Sequence, residues 1–276
     1  MGNEWRFNHN GYGQGVGLNE GGVETFKDDP DASLAREICQ NSIDARDKNI
    51  KDKPAFVEFK TFTLKRKDIP GVEELTDQIK QCYDFRKGKQ PEEKQLKSML
   101  DYIKKEEITC LRISDFNTTG LLGVSTDEID MPFYNLTKGS GTSDKVGACG
   151  GSKGIGKFAS FEASLINTVF YSTKTIKGEK GGIGISKLRS APYKGEKRLL
   201  TQGIGYYGAD ETNAPIQDEF HLDSNFRRNN KQYGTDLFII GYNDGDDWKK
   251  NITCKILDSF MIAILKNELN VVVDDI

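Results

Sequence analysis

Residues 37–45 read Glu-Ile-Cys-Gln-Asn-Ser-Ile-Asp-Ala, and the reading of this stretch decides the reading of the chain. Glu37, Asn41 and Asp44 stand at i, i+4 and i+7, which on a helix stacks them on one face over two turns. The spacing predicts a helix over about 32–49, with Asp31 or Ser33 as its cap and Leu34, Ala35, Ile38 and Ala45 as apolar positions. The three polar groups suit metal-nucleotide chemistry. A carboxylate can activate water, a carboxamide oxygen can ligate a hard cation such as Mg²⁺, and a second carboxylate can accept a hydrogen bond from a base amino group. Taken alone, the same spacing also fits an amphipathic helix with an ordinary polar surface.

Three further segments bear on that choice. An apolar run from Ile108 to Ile113 leads into Asp115 and then into the turn-formers Asn117 and Gly120. Residues 147–161 carry a glycine-rich loop with Gly151, Gly154 and Gly156, which opens a predicted helix from Ile155 to about Ala163. Glycines let backbone N–H groups approach phosphates, and a helix N-terminus adds positive potential. Finally, Gly234-Thr235 precedes the apolar strand Asp236-Leu-Phe-Ile-Ile.

These four elements, in this order, resemble the ATP-binding domain of the GHKL superfamily, shared by gyrase B subunits, heat-shock 90 chaperones, histidine kinases and MutL. The first motif matches the family pattern E-x-x-x-N-[AS]-x-D-A at every defined position, and the glycine loop matches G-x-x-G-x-G. The resemblance covers roughly residues 15–242. It implies an α+β fold of the Bergerat type, a mixed sheet with helices on one face, and ATP and Mg²⁺ as ligands. By that resemblance Glu37 would be the general base for the attacking water, and Asn41 the ligand of Mg²⁺. Asp44 would sit beside the nucleotide, and Asp115 would bind the adenine amine. Gly151, Gly154, Ile155 and Gly156 would wrap the phosphates, and Thr235 would join the network around adenine. Lys157, directly after the last loop glycine, can reach a phosphate oxygen or simply be solvated. The family's second motif is Asp-x-Gly-x-Gly, whereas here Asn117 stands at the first glycine and Gly120 lies one residue late. Asn tolerates the left-handed conformation better than most residues, so the turn can survive.

The resemblance further implies a lid that closes on ATP, an ATP-dependent homodimer, and action on a protein partner or C-terminal effector domain. The Glu37 helix and the Asn-Thr-Thr-Gly turn look most like those of large prokaryotic MORC-like or heat-shock 90-like ATPases, a resemblance that would imply a link to DNA restriction or phage defence. A non-hydrolysing ATP sensor and a histidine-kinase-like phosphotransferase are the alternatives. Gly151 to Lys157 also spells most of a P-loop, but Phe158 stands where a Ser or Thr must reach the metal.

Composition agrees with such a module. The net charge of −3 with 29% charged residues carries no global signature for nucleic acid, though a local patch can still bind it. A mean hydropathy of −0.60 and the lack of a long apolar run argue against a membrane span. The N-terminus has no signal-peptide core. Five scattered cysteines without a Cys-x-x-Cys pair suggest reduced thiols and a cytoplasmic setting. Two distant histidines argue against a histidine metal site.

The predicted organisation is an N-terminal arm (1–30), an ATP-binding domain (31–245), and a C-terminal helix and strand start (246–276) that lead into a further domain or pair with the sheet. Within the domain, 65–107 reads as a charged helical insertion with helices at 72–86 and 92–106, expected on the flank as a solvated face or an interaction surface. Residues 121–150 read as the lid. Strands are expected at 55–64, 165–174, 182–187, 202–207 and 235–241, and the last helix over 246–268.

Overall fold

The computed structural model describes residues 2–18, 29–50, 53–139 and 158–274. Its centre is one mixed eight-stranded sheet. In chain order the strands are β1 (Glu4–Arg6), β2 (Ala55–Lys65), β3 (Glu107–Phe116), β4 (Ser164–Lys174), β5 (Lys180–Lys187), β8 (Ile204–Gly208), β9 (Gly234–Tyr242) and β10 (Leu269–Val273). Their spatial order is β1-β8-β5-β4-β9-β3-β2-β10, antiparallel throughout except for the parallel pair β10 and β2. A separate hairpin, β6 (Pro192–Tyr193) and β7 (Glu196–Leu200), stands outside it. Among the described residues no helix is long and apolar enough to cross a membrane.

Side-chain alternation gives the sheet two faces. Val57, Phe59, Leu111, Ile113, Val169, Leu237 and Ile239 line the first. Over them pack α1 (Pro30–Asp44), α5 (Phe158–Glu162) and α6 (Trp248–Leu265), with α6 burying Trp248, Ile252, Ile256 and Phe260 at i, i+4 spacing. Ile108, Cys110, Ile166, Phe170, Phe238 and Ile240 line the second face. That face is covered by α2 (Val72–Arg86) and α3 (Glu92–Ile103), which bury Leu75, Ile79, Cys82, Leu96, Met99 and Ile103. Helices thus lie on the expected face, and the insertion does more than flank the domain: it covers the other side of the sheet. The net result is an α+β sandwich around a large mixed sheet.

Several boundaries move for identifiable reasons. Asp29, rather than Asp31 or Ser33, caps α1 by accepting from the Ala32 amide at 3.0 Å, with Pro30 opening the helix. Asp31 instead accepts from the Tyr242 hydroxyl at 2.8 Å. The helix stops at Asp44, not 49, because the Ala45 carbonyl is taken by the Thr119 amide and Arg46 pairs with Thr118. The predicted arm is partly in the sheet: β1 pairs with β8, and the Trp5 indole donates to the Pro70 carbonyl at 3.0 Å. The final strand pairs along Ala55–Phe59 of β2.

Candidate functional site

α1 crosses the first face beside the ends of β3, β9 and β4, and a cleft opens between them. It is lined by Glu37 and Asn41 of α1, Asp115 of β3, Gly120 and Leu121 beyond it, Tyr171 of β4 and Thr235 of β9, over an apolar floor of Leu34, Ile113 and Leu237. Four polar side chains predicted from separate stretches of the sequence therefore meet in one place: Glu37, Asn41, Asp115 and Thr235.

Within α1 the Asn41 Nδ2 donates to Glu37 Oε1 at 3.2 Å, the i, i+4 contact that helical spacing allows. This arrangement uses the amide nitrogen and leaves the Asn41 carboxamide oxygen without a hydrogen bond from any described residue. Asp44 does not belong to the cleft. Its side chain is exposed and accepts from Gln40 Nε2 at 3.0 Å. Ala45, one residue further on, still lines the cleft, so it is the exposed, Gln40-bonded direction of the Asp44 side chain that keeps it out of the lining.

Asp115 is held from several sides. Its Oδ1 accepts from the Thr118 hydroxyl at 2.5 Å and from the Thr235 amide at 2.9 Å. Its Oδ2 receives no hydrogen bond from a described residue. Burial pushes the Asp115 carboxyl above the ordinary carboxylate range, against the pull of the Arg228 guanidinium and of the hydrogen bonds from Thr118 and Thr235. Gly234 makes this packing possible. A Cβ there would stand 2.2 Å from the Asp115 carbonyl oxygen, and its φ of +147° disfavours any side chain.

The irregular turn after Asp115 is built as its residues allow. Asn117 adopts φ +60° and Gly120 φ +67°, so Asn117 does take the left-handed conformation. Asn117 is not a lining residue of the cleft: its Nδ2 donates to the Pro54 carbonyl at 2.8 Å, and its own carbonyl accepts from Asp47. It fixes the turn, while Gly120 lines the cleft with its backbone. Gly151, Gly154, Ile155, Gly156 and Lys157 lie outside the described residues, as do residues 140–150 of the predicted lid. The described part of that lid contains α4 (Pro132–Thr137) and contributes Leu121 and Leu136 to the cleft wall.

Two groups had no sequence signal. Tyr171 lines the cleft with its hydroxyl 3.5 Å from Ser160 Oγ; burial, with the nearby Glu37 charge adding to it, pushes its phenol up to about 12. Within β4 it reads as one more core aromatic. Arg228 lies beneath the cleft, on the second face, with only 1% of its side chain exposed. It donates to the carbonyls of Asp115 (2.6 Å) and Thr235 (2.9 Å) and to both carboxylate oxygens of Asp236 (2.8 and 2.9 Å), clamping β3 to β9 where the cleft begins. Its signal would have been one of two adjacent arginines, Arg227 and Arg228, in a polar excursion, which by itself marks nothing.

Cys39, on the buried side of α1, has its thiol pushed up to about 12 by burial, which removes it as a nucleophile at neutral pH. Among the described residues no group of three or more His, Cys, Asp or Glu is placed to hold a metal ion. A cation in this cleft would have to take most of its ligands from a bound anion and water, with the Asn41 oxygen as the protein's donor. No protein-family model and no curated protein matches the chain.

Proposed function

We propose that the cleft binds ATP with Mg²⁺ and hydrolyses it, in the manner of the GHKL ATPases whose motifs the sequence resembles. The observation that carries this reading is the meeting of Glu37, Asn41, Asp115 and Thr235 around one apolar cleft. The unbonded Oδ2 of Asp115 can accept from an adenine amino group, and the flat apolar floor suits a purine ring. Thr235, tied to Asp115 through its amide, presents its hydroxyl to the same edge of the base.

At the other end of the cleft Glu37 is the general base, held in line by Asn41 Nδ2. It takes a proton from the water that attacks the terminal phosphorus, and ADP leaves with the bridging oxygen. When bound, Mg²⁺ would neutralise developing phosphate charge, with Asn41 as its ligand from the chain. We further infer that ATP closes residues 121–150 over the cleft and favours a homodimer, which would pass the nucleotide state to a protein partner or effector domain in the cytoplasm. A role in DNA restriction or phage defence would follow from the MORC-like and heat-shock 90-like motif pattern.

Calorimetric titration with Mg²⁺-ATP, followed by a phosphate-release assay, tests the reading. The expected result is saturable binding by wild type, and turnover that Glu37→Ala lowers by about a hundredfold or more without loss of binding. Absence of binding by the folded chain overturns it. Binding with no turnover at all in wild type selects the sensor reading, and phosphate transferred to protein selects the kinase reading.

A further inference from the structure

Arg228 connects the second face of the sheet to the cleft on the first. It comes from the polar excursion between β8 and β9. Its Nη2 is shared by the carbonyls of Asp115 and Thr235 and by Asp236 Oδ1, while its Nε donates to Asp236 Oδ2. The guanidinium also lies 4.5 Å from the Phe116 ring centroid, which fixes it under the end of β3. Gly234 leaves room for it, since a Cβ there would stand 2.9 Å from Arg228 Nη1. Arg112, buried on the same face, is instead taken by Glu58 and Asp223.

The state of Asp115 decides what the cleft can recognise. Its Oδ1 already accepts from the Thr118 hydroxyl and the Thr235 amide, which leaves Oδ2 for a ligand. As a carboxylate, Asp115 only accepts, and Oδ2 then selects an amino group. A proton on Asp115 must sit on Oδ2, because Oδ1 faces two donors, and the same atom would then donate to a carbonyl. Burial favours the protonated form. The Arg228 charge opposes it, together with the bonds from Thr118 and Thr235, and the Asp236 charge works against Arg228. Glu219, a further carboxylate that acts on Arg228, is paired with Lys180 at 2.7 Å. Glu37 stands in the same cleft on α1.

On the nucleotide reading of the cleft, we propose that Arg228 is the positioning residue for base selection. It holds the backbone of Asp115 beside Thr235 and keeps Oδ2 an acceptor, so the cleft takes a purine with an amino group over one with a carbonyl at the same position. The excursion that delivers Arg228 belongs to the specificity apparatus, although none of residues 209–233 lines the cleft.

Competition binding with Mg²⁺-ATP and Mg²⁺-inosine triphosphate, whose purine carries a carbonyl in place of the amino group, tests this on the full chain across mildly acidic to mildly alkaline pH. The ratio of the two affinities cancels titration of the phosphates. Wild type should prefer ATP. Arg228→Met should lower that preference about tenfold or more and move the acid limb of ATP binding to higher pH. Arg228→Lys, which keeps the charge, should recover part of both. Asp236→Asn keeps the cation and removes a neighbouring anion, so it should move the limb to lower pH, a sign that loosened structure does not predict. Arg112→Met should leave the preference unchanged. Thermal unfolding identifies the variants that are folded in the assay, and Arg228→Lys with Asp236→Asn decides the matter if Arg228→Met does not fold. No ATP binding by wild type overturns the nucleotide reading and this proposal with it. ATP binding by wild type, with base preference and pH profile unchanged in the Arg228 variants, overturns the positioning role alone. So does an equal fall in preference in Arg112→Met, or a limb that Asp236→Asn moves to higher pH.

Discussion

The two faces of the sheet handle polar side chains in opposite ways. On the second face, beneath β2, β3 and β9, buried charges are matched among themselves: Arg112 pairs with Glu58 at 2.7 Å and Asp223 at 3.0 Å, and Arg228 pairs with Asp236. The Phe226 ring lies 3.8 Å from the Arg112 guanidinium. On the first face the polar groups are few and only partly used: Asp115 keeps one oxygen unbonded, and so does the Asn41 carboxamide. A network of matched charges holds strands together even with one guanidinium nitrogen, Arg228 Nη1, left without a partner, whereas unused hydrogen-bonding capacity in an open cleft is what a ligand can occupy. Substitutions on the two faces should therefore separate stability from binding.

The largest effect is expected on the charge-paired face. Arg112→Met leaves Asp223 and Glu58 without their common cation, so unfolding free energy should fall by about 3–5 kcal/mol and the thermal midpoint by about 10 °C. Thermal and urea unfolding measure this, and nucleotide affinity of the folded variant should change little. A loss below about 1 kcal/mol would erase the distinction between the faces.

The unused groups should behave in the reverse way. Asn41→Ala and Asp115→Ala should each weaken Mg²⁺-ATP binding by about thirtyfold, roughly 2 kcal/mol, while Asn41→Ala leaves the unfolding midpoint nearly unchanged. Calorimetry and thermal unfolding on the same samples read both quantities.

Asp115→Asn sharpens the contrast further. Because the folded chain raises the Asp115 pKa, its ionisation costs stability. That cost is absent below the unfolded value and grows as pH rises through the raised one. The asparagine variant, which still accepts from Thr118 and Thr235, should melt higher than wild type at neutral pH, and the gap should close as pH falls into the ordinary carboxylate range. Its affinity for ATP should drop. A midpoint that falls at neutral pH would contradict the assignment of burial as the dominant influence.

The smallest effect concerns the turn beside the cleft. Asn117→Gly keeps φ +60° accessible and should alter stability by only a few tenths of a kcal/mol beyond the lost bond to Pro54. Asn117→Val should cost about 1–2 kcal/mol, because a β-branched residue is strained at positive φ. Denaturant titration of the pair distinguishes a conformational role from a direct ligand contact.

Much of this arrangement was legible in the chain. Helical spacing put Glu37 and Asn41 on one face, and both face the cleft. It also put Asp44 there, whose exposed side chain bonds Gln40 instead of lining the cleft, although Ala45 beyond it does line it: spacing specifies where a residue leaves the helix and not which partner its side chain takes. The apolar runs from Ile108 to Ile113 and from Asp236 onward identified strands whose odd-numbered positions, including Asp115 and Thr235, turn out to share a side. The helices expected at 72–86 and 92–106 from local pattern and from the breaks at Pro70-Gly71 and Pro91 form at 72–86 and 92–103.

Local rules therefore determined the elements, the left-handed turn at Asn117 and the identity of the polar groups in the cleft, since each depends on neighbours within a few residues. Only the tertiary structure decided that the charged insertion would cover the second face, that Arg228 would clamp Asp115 to Thr235 from below, and that Tyr171 would stand near Glu37. Those outcomes depend on strand order and on pairings between residues over a hundred positions apart. Such pairings are selected by the total free energy of packing the whole chain, which no short stretch of sequence contains.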